Sequence, residues 1–130
     1  MPDIVGTWRL VSGIAHDPEG RPLPPPHGPQ AIGRIVFTAD NRVMVAVSDG
    51  RPELPAGARR EYGGYCGDYT FDGTTLTTQV DAAPNPALVG TAQVRGVRFE
   101  GGRMILRPPA REIDGVMHQR ELTWERISPV

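Results

Sequence analysis

The stretch Val116–Arg126 reads VMHQRELTWER, and its period decides the fold. Taken two residues at a time, Val116, His118, Arg120, Leu122 and Trp124 fall on one side. Met117, Gln119, Glu121, Thr123 and Glu125 fall on the other. Alternate side chains of a strand point to opposite faces. The second set is almost wholly polar and therefore faces water, so the first faces inward. That places a histidine and an arginine in line with a tryptophan on a buried face. An unpaired charge is costly in a dry core. A barrel with a wet or ligand-filled interior accommodates it.

The remaining chain supplies partners for such a strand. Gly (16) and Pro (14) punctuate 130 residues, and between them lie short runs rich in Val, Ile, Thr and aromatics, the pattern of an all-β sandwich or barrel. Gly6–Ala15 is a strand with Trp8, Leu10, Ser12 and Ile14 inward. Gly33–Thr38 turns Ile35 and Phe37 inward. Arg42–Ser48 returns as a hairpin arm whose parity is ambiguous, Val43, Val45 and Val47 opposing Met44, Ala46 and Ser48; Met44 is taken as a wall residue. Tyr62–Phe71 has Tyr65, Gly67, Tyr69 and Phe71 inward, with Cys66 and Asp68 outward. Asp72-Gly73 is a hairpin turn. Thr75–Ala82 carries Leu76, Thr78 and Val80 inward, and Ala92–Phe99 carries Gln93, Arg95, Val97 and Phe99. Arg103–Leu106 precedes a last loop, Pro108–Gly115. Eight strands joined mostly by hairpins suit one closed antiparallel barrel spanning residues 1–130, because closure removes exposed edges and leaves room for a small ligand. An open sandwich is the competing fold.

Two Pro-rich segments interrupt the series. Arg21–Gln30, RPLPPPHGPQ, reads as an ordered, irregular surface loop, with a lid over one barrel mouth as the alternative. Asp49–Glu61 is a polar loop with a helical turn expected around Ala56–Glu61.

Composition narrows the function classes. The chain is 38% hydrophobic and 22% charged with net charge −1, which favours neither nucleic acid nor an anionic membrane as a partner. All 14 basic residues are Arg, so lysine Schiff-base chemistry is excluded. A single cysteine, Cys66, excludes an intrachain disulfide and suits a reducing cytoplasm. No signal-peptide pattern or membrane span is read at the N-terminus or beyond it. A homodimer is left open. His16, His27 and His118 show no metal-ligand spacing, and no P-loop or nucleophile elbow occurs, so no cofactor is expected.

The remaining signal is the inward polar set Tyr65, Tyr69, Thr78, Arg95, His118 and Arg120. Its walls are Trp8, Phe37, Met44, Val97, Phe99, Leu122 and Trp124, the composition of a small-molecule pocket. A Tyr or His exchanges protons, and an Arg holds an enolate or carboxylate oxygen. His118, Tyr69 and Arg95 are the catalytic candidates; Tyr65, Thr78 and Arg120 join the wall residues as ligand contacts. Each has a bland reading beside it. His118 and Tyr69 would be satisfied core residues, and Arg95 or Arg120 would lie at a barrel end, paired with surface carboxylates or stacked on Trp8. A haem-binding barrel would require His118 as the axial ligand.

Five segments, GTWRLVS (Gly6–Ser12), GRIVFTADNRVMVAV (Gly33–Val47), YCGDYTFDG (Tyr65–Gly73), NPALVGTAQVR (Asn85–Arg95) and LTWER (Leu122–Arg126), resemble the bacterial and fungal lipocalin-like domain family in content and order. The resemblance implies a small single-domain barrel. Thr78 stands where that family often carries a histidine, so no role is carried over for one. Some lipocalin-like barrels of natural-product pathways are isomerases or cyclases. The expected function is therefore a cofactor-independent isomerase or cyclase acting on an apolar, oxygenated metabolite of polyketide or terpenoid type. A non-catalytic carrier or sensor of a small hydrophobic ligand is the alternative.

Overall fold

Strand alternation and tight turns dictate the architecture of the computed structural model, which describes residues 3–128. Strand β1 (Gly6–His16) is followed by a two-residue strand β2 (Pro22–Leu23), then β3 (Ala31–Phe37), β4 (Arg42–Asp49), β5 (Tyr62–Phe71) and β6 (Thr75–Ala82). A 3-10 turn at Pro86–Leu88 leads to β7 (Ala92–Glu100), β8 (Arg103–Arg107), β9 (Arg111–Ile113) and β10 (Val116–Ser128). Neighbours pair antiparallel from β1 through β3–β8 to β10, and β10 pairs back onto β1. This is the closed eight-stranded barrel expected from the sequence. The two short strands are annexes at its edges. β2 lies on the end of β1, and β9 pairs with the start of β10.

β9 falls where the sequence reading has only a loop. Asp114 and Gly115 both take positive φ (51° and 81°), the backbone of a type I′ hairpin, which Asp-Gly adopts readily.

Register explains which inward assignments stand. On β3, β5, β6 and β7 the buried parity is the expected one. On β4 it is Val43, Val45 and Val47. Met44 points outward and is 60% exposed, a correction to its place in the wall. β3 and β4 are in register, Val36 opposite Met44 and Ile35 opposite Val45. Burying Ile35 therefore forces Met44 to the outer face. On β1 the pairing to β10 slips between Leu10 and Ser12. This bulge at Val11 reverses the parity, since one extra residue exchanges the faces. Trp8 and Leu10 point in as expected. Beyond the bulge Ala15 is buried, and Ile14 is 53% exposed, contrary to its inward assignment. No helix forms at Ala56–Glu61. The segment holds a single turn from the Pro55 carbonyl to the Ala58 amide, with Gly57 at positive φ.

The apolar core fills one end of the barrel. Ile4, Trp8, Phe37, Val43, Tyr69, Leu76, Met104 and Trp124 form one buried cluster, with Phe71 and Phe99 packed on it. The Trp8 indole N–H donates to the Ile4 carbonyl at 3.0 Å. Arg126 lies over the Trp8 ring, 4.4 Å from its centroid, and donates to the carbonyls of Asp3 and Val5. The arginine that closes the barrel end is thus Arg126, and neither Arg95 nor Arg120 takes that role.

Candidate functional site: the open end of the barrel

At the other end the strands splay around a cavity of about 520 Å³, within the usual range for ligand pockets. Trp124, Leu106 and Ile35 belong both to the core cluster and to the cavity wall, so they form its floor. Val45, Val47, Leu122 and Leu88 continue the apolar wall. Tyr65, Gln93, Arg95 and Arg120 supply inward polar groups, and Pro26, His27, Glu61, Pro108 and Arg111 stand round the opening.

The Pro-rich segment 21–30 is where this rim is built. Pro25 to Gly28 forms a turn closed by the Gly28 N–H on the Pro25 carbonyl at 3.3 Å. His27 takes φ 64° and Gly28 φ 75°. A Cβ on Gly28 would lie 2.5 Å from an Asp49 carboxylate oxygen, so only glycine allows this close approach. Pro26 is fully buried and lies against Gly13. The segment is therefore part of the cavity, and the plain surface-loop reading is corrected.

Asp49 holds the rim from below. Buried at the end of β4, it receives the Arg51 guanidinium at 2.6 Å and the Arg51 amide at 3.0 Å. Hydrogen bonds from the Arg51 side chain and amide hold its carboxyl down to about 2 against the opposing effect of desolvation. Arg60 bridges the carbonyls of Asp49 and Arg51 at 2.7 Å each. This pins the loop that carries Glu61. Glu61 accepts from the His27 amide at 3.2 Å and lies 3.5 Å from Arg120. The His27 ring is pushed below its ordinary pKa, mainly by burial and with the nearby Arg120 charge adding to it, while Glu61 opposes. It is neutral at pH 7.

Arg95 lines the wall with neutral partners only, the Val94 carbonyl at 2.9 Å and the Gln93 amide oxygen at 3.3 Å. Burial pushes the Tyr65 phenol upward, with the Arg95 charge and the Thr78 hydroxyl pulling weakly the other way. Tyr65 is therefore a proton donor at neutral pH. Several buried polar atoms lack hydrogen-bond partners: Trp124 Nε1, Arg120 Nε, His27 Nδ1 and His118 Nδ1. Such atoms are uncommon in dry cores. Gly63 also faces the opening, and a Cβ built on it meets nothing within 4 Å. A bulky residue there would project into the cavity without backbone strain.

The structure separates the sequence-derived candidates. Tyr65, Arg95, Arg120, Leu122 and Trp124 line the cavity. Thr78 and Val97 are buried and do not line it. Trp8, Phe37 and Phe99 belong to the closed end and do not line it. Tyr69 does not line it either. Its ring packs edge-on against Phe37 at 5.1 Å and its hydroxyl donates to the Thr38 carbonyl at 3.0 Å, so it braces the β3–β4 turn. His118 has the inward parity but lies beyond the cavity wall, paired with Arg111 of β9. His27, Glu61 and Arg111 were not among the candidates. The HG step after three prolines marks a special turn, but its position over the mouth depends on the tertiary contact with Asp49. Among the described residues no three His, Cys, Asp or Glu side chains come together to hold a metal ion.

The profile of the lipocalin-like domain family matches residues 5–127, which includes every barrel strand almost entirely. No curated protein matches the chain.

Proposed function

This chain belongs to the lipocalin-like domain family, a small-molecule-binding barrel, and on that premise we propose that it acts on a small, apolar, oxygen-bearing molecule as a cofactor-independent isomerase or cyclase. The observation that carries this reading is the cavity: an apolar wall and floor with Tyr65, Gln93, Arg95 and Arg120 turned into it. A substrate carbonyl seated beside Arg95 and Tyr65 would have a cation and a protonated phenol ready for negative charge developing on its oxygen. Donors placed in advance, away from bulk water, contribute most to such steps. A neutral histidine completes the set. The His27 ring takes a proton from the carbon next to the carbonyl, the electron pair moves to the oxygen held by Arg95 and Tyr65, and the imidazolium returns the proton to another carbon.

The experiment has two stages. Titration with the neutral apolar dye N-phenyl-1-naphthylamine, read by fluorescence, reports occupancy. Gly63→Trp should abolish it with the melting temperature kept, and an unchanged affinity in that variant would sink the cavity as the binding site. Isomerisation of β,γ-unsaturated ketones to the conjugated form, followed by ultraviolet absorbance, then reports turnover. Arg95→Ala and His27→Ala should lose turnover while still binding the ketone. The carrier reading is favoured by the largely apolar wall. It predicts instead that these variants lose affinity alone and that the wild type shows no turnover.

A further inference from the structure

The cavity holds more positive than negative charge. Arg95, Arg111 and Arg120 stand on its wall and rim against one carboxylate, Glu61. Glu61 is itself divided, one oxygen accepting from the His27 amide at 3.2 Å and the other 3.5 Å from Arg120. The second contact is too long for a strong charge-assisted bond. Arg120 keeps a buried Nε with no partner, and its side chain is 19% exposed. Arg95 touches only neutral acceptors. Arg111 is exposed at the rim, and its side chain makes no hydrogen bond or ion pair among the described residues. On the outer wall Arg9, Arg42 and Arg98 are each paired with carboxylates of other strands, while Arg34 touches only the Gly33 carbonyl.

Like charges gathered in a partly enclosed, apolar-walled space repel more strongly than they do in water. The neutral His27 does nothing to offset them, and an uncharged ligand would leave the excess in place. We propose that the ligand is a carboxylic acid, its apolar body on Trp124, Leu106 and Leu122 and its carboxylate held at the wall and rim by Arg95, Arg111 and Arg120. The planar guanidinium fork matches a carboxylate in two parallel bonds, and no lysine competes for that role. This rests on the cavity being the binding site, and it adds the charge of what enters.

The test compares decanoate with decanol, which share an apolar body and differ in the head. Each is titrated as a competitor of bound N-phenyl-1-naphthylamine at low salt, against the wild type and Arg95→Ala, Arg111→Ala and the double variant. The acid should bind at least tenfold more tightly than the alcohol. Each single variant should cut that preference severalfold with decanol affinity unchanged, and 1 M salt should reduce it for the rim residue Arg111 most, because exposed charges are screened best. Equal binding of acid and alcohol, or a preference that survives in the double variant, overturns the charge assignment and leaves the cavity standing. If the dye binds but neither compound displaces it, the assignment is overturned as well. If the dye itself fails to bind, the cavity reading falls and takes this inference with it.

Discussion

Replacing Tyr69 by Phe removes one oxygen atom and keeps the ring. The edge-on contact with Phe37 at 5.1 Å survives, so the hydroxyl's single hydrogen bond to the Thr38 carbonyl, 3.0 Å long, is isolated by the change. That carbonyl also accepts from the Asn41 amide at 3.2 Å, so it is not left bare, and the loss stays near the ordinary net value of about 1 kcal/mol rather than the larger cost of an orphaned acceptor. For 130 residues an unfolding entropy of about 2.1 cal/mol/K per residue gives about 0.27 kcal/mol per kelvin, so the melting temperature should fall by about 4 °C. Differential scanning calorimetry measures this directly. Dye affinity and any turnover of the variant should stay within twofold of wild type, because Tyr69 lies at the closed end. A variant that melts like wild type but loses binding or turnover would refute the reasoning, since it would put the hydroxyl in the cavity.

Three further outcomes follow from the same geometry. Met44→Glu should change stability by no more than about 0.5 kcal/mol in urea titration, as expected for an exposed position; a loss of several kcal/mol would return Met44 to the interior. Arg126→Ala removes the stack on Trp8 and the bonds to the Asp3 and Val5 carbonyls, and should cost about 1–2 kcal/mol with cavity occupancy unaffected, measured by the same melts. Asp49 has a folded-state pKa of about 2, below its ordinary 3.8. The unfolded chain therefore takes up its proton first as the pH drops, and the stability from this carboxylate, full above about pH 4, is lost as pH falls through about 2. Asp49→Asn should flatten the fall of melting temperature in that window, and an unchanged slope would show that the Arg51 pairing contributes nothing.

Much of the fold was legible because burial and strand period are local properties. The alternation in Val116–Arg126 placed Arg120, Leu122 and Trp124 on the inner wall, and the same rule placed Tyr65 and Arg95. Met44 was not readable this way, because both parities of Arg42–Ser48 contain apolar residues and only pairing with Ile35 on β3 breaks the tie. Ile14 failed for another reason. A bulge at Val11 leaves no mark in the residues around it and shows only in the pairing of β1 with β10.

The candidate site divides in the same manner. By itself the sequence determined eight antiparallel strands with arginine, tyrosine and tryptophan on their inner faces, because turn chemistry and a two-residue repeat specify strands and their faces; the pairing of β10 back onto β1 decided for the closed barrel over the open sandwich. Depth along the barrel axis was decided by the tertiary structure alone. Tyr69 and Tyr65 share a parity, yet one braces the closed end and the other lines the cavity. His118 and Arg120 share a parity, yet only Arg120 reaches the wall. His27 and Glu61 arrive at the mouth on two loops and Arg111 on the short strand β9, held there by Asp49, by the Gly28 contact and by the β9 hairpin. Which loops meet depends on how the barrel shears and closes, and pairing register carries that information where residue pattern does not.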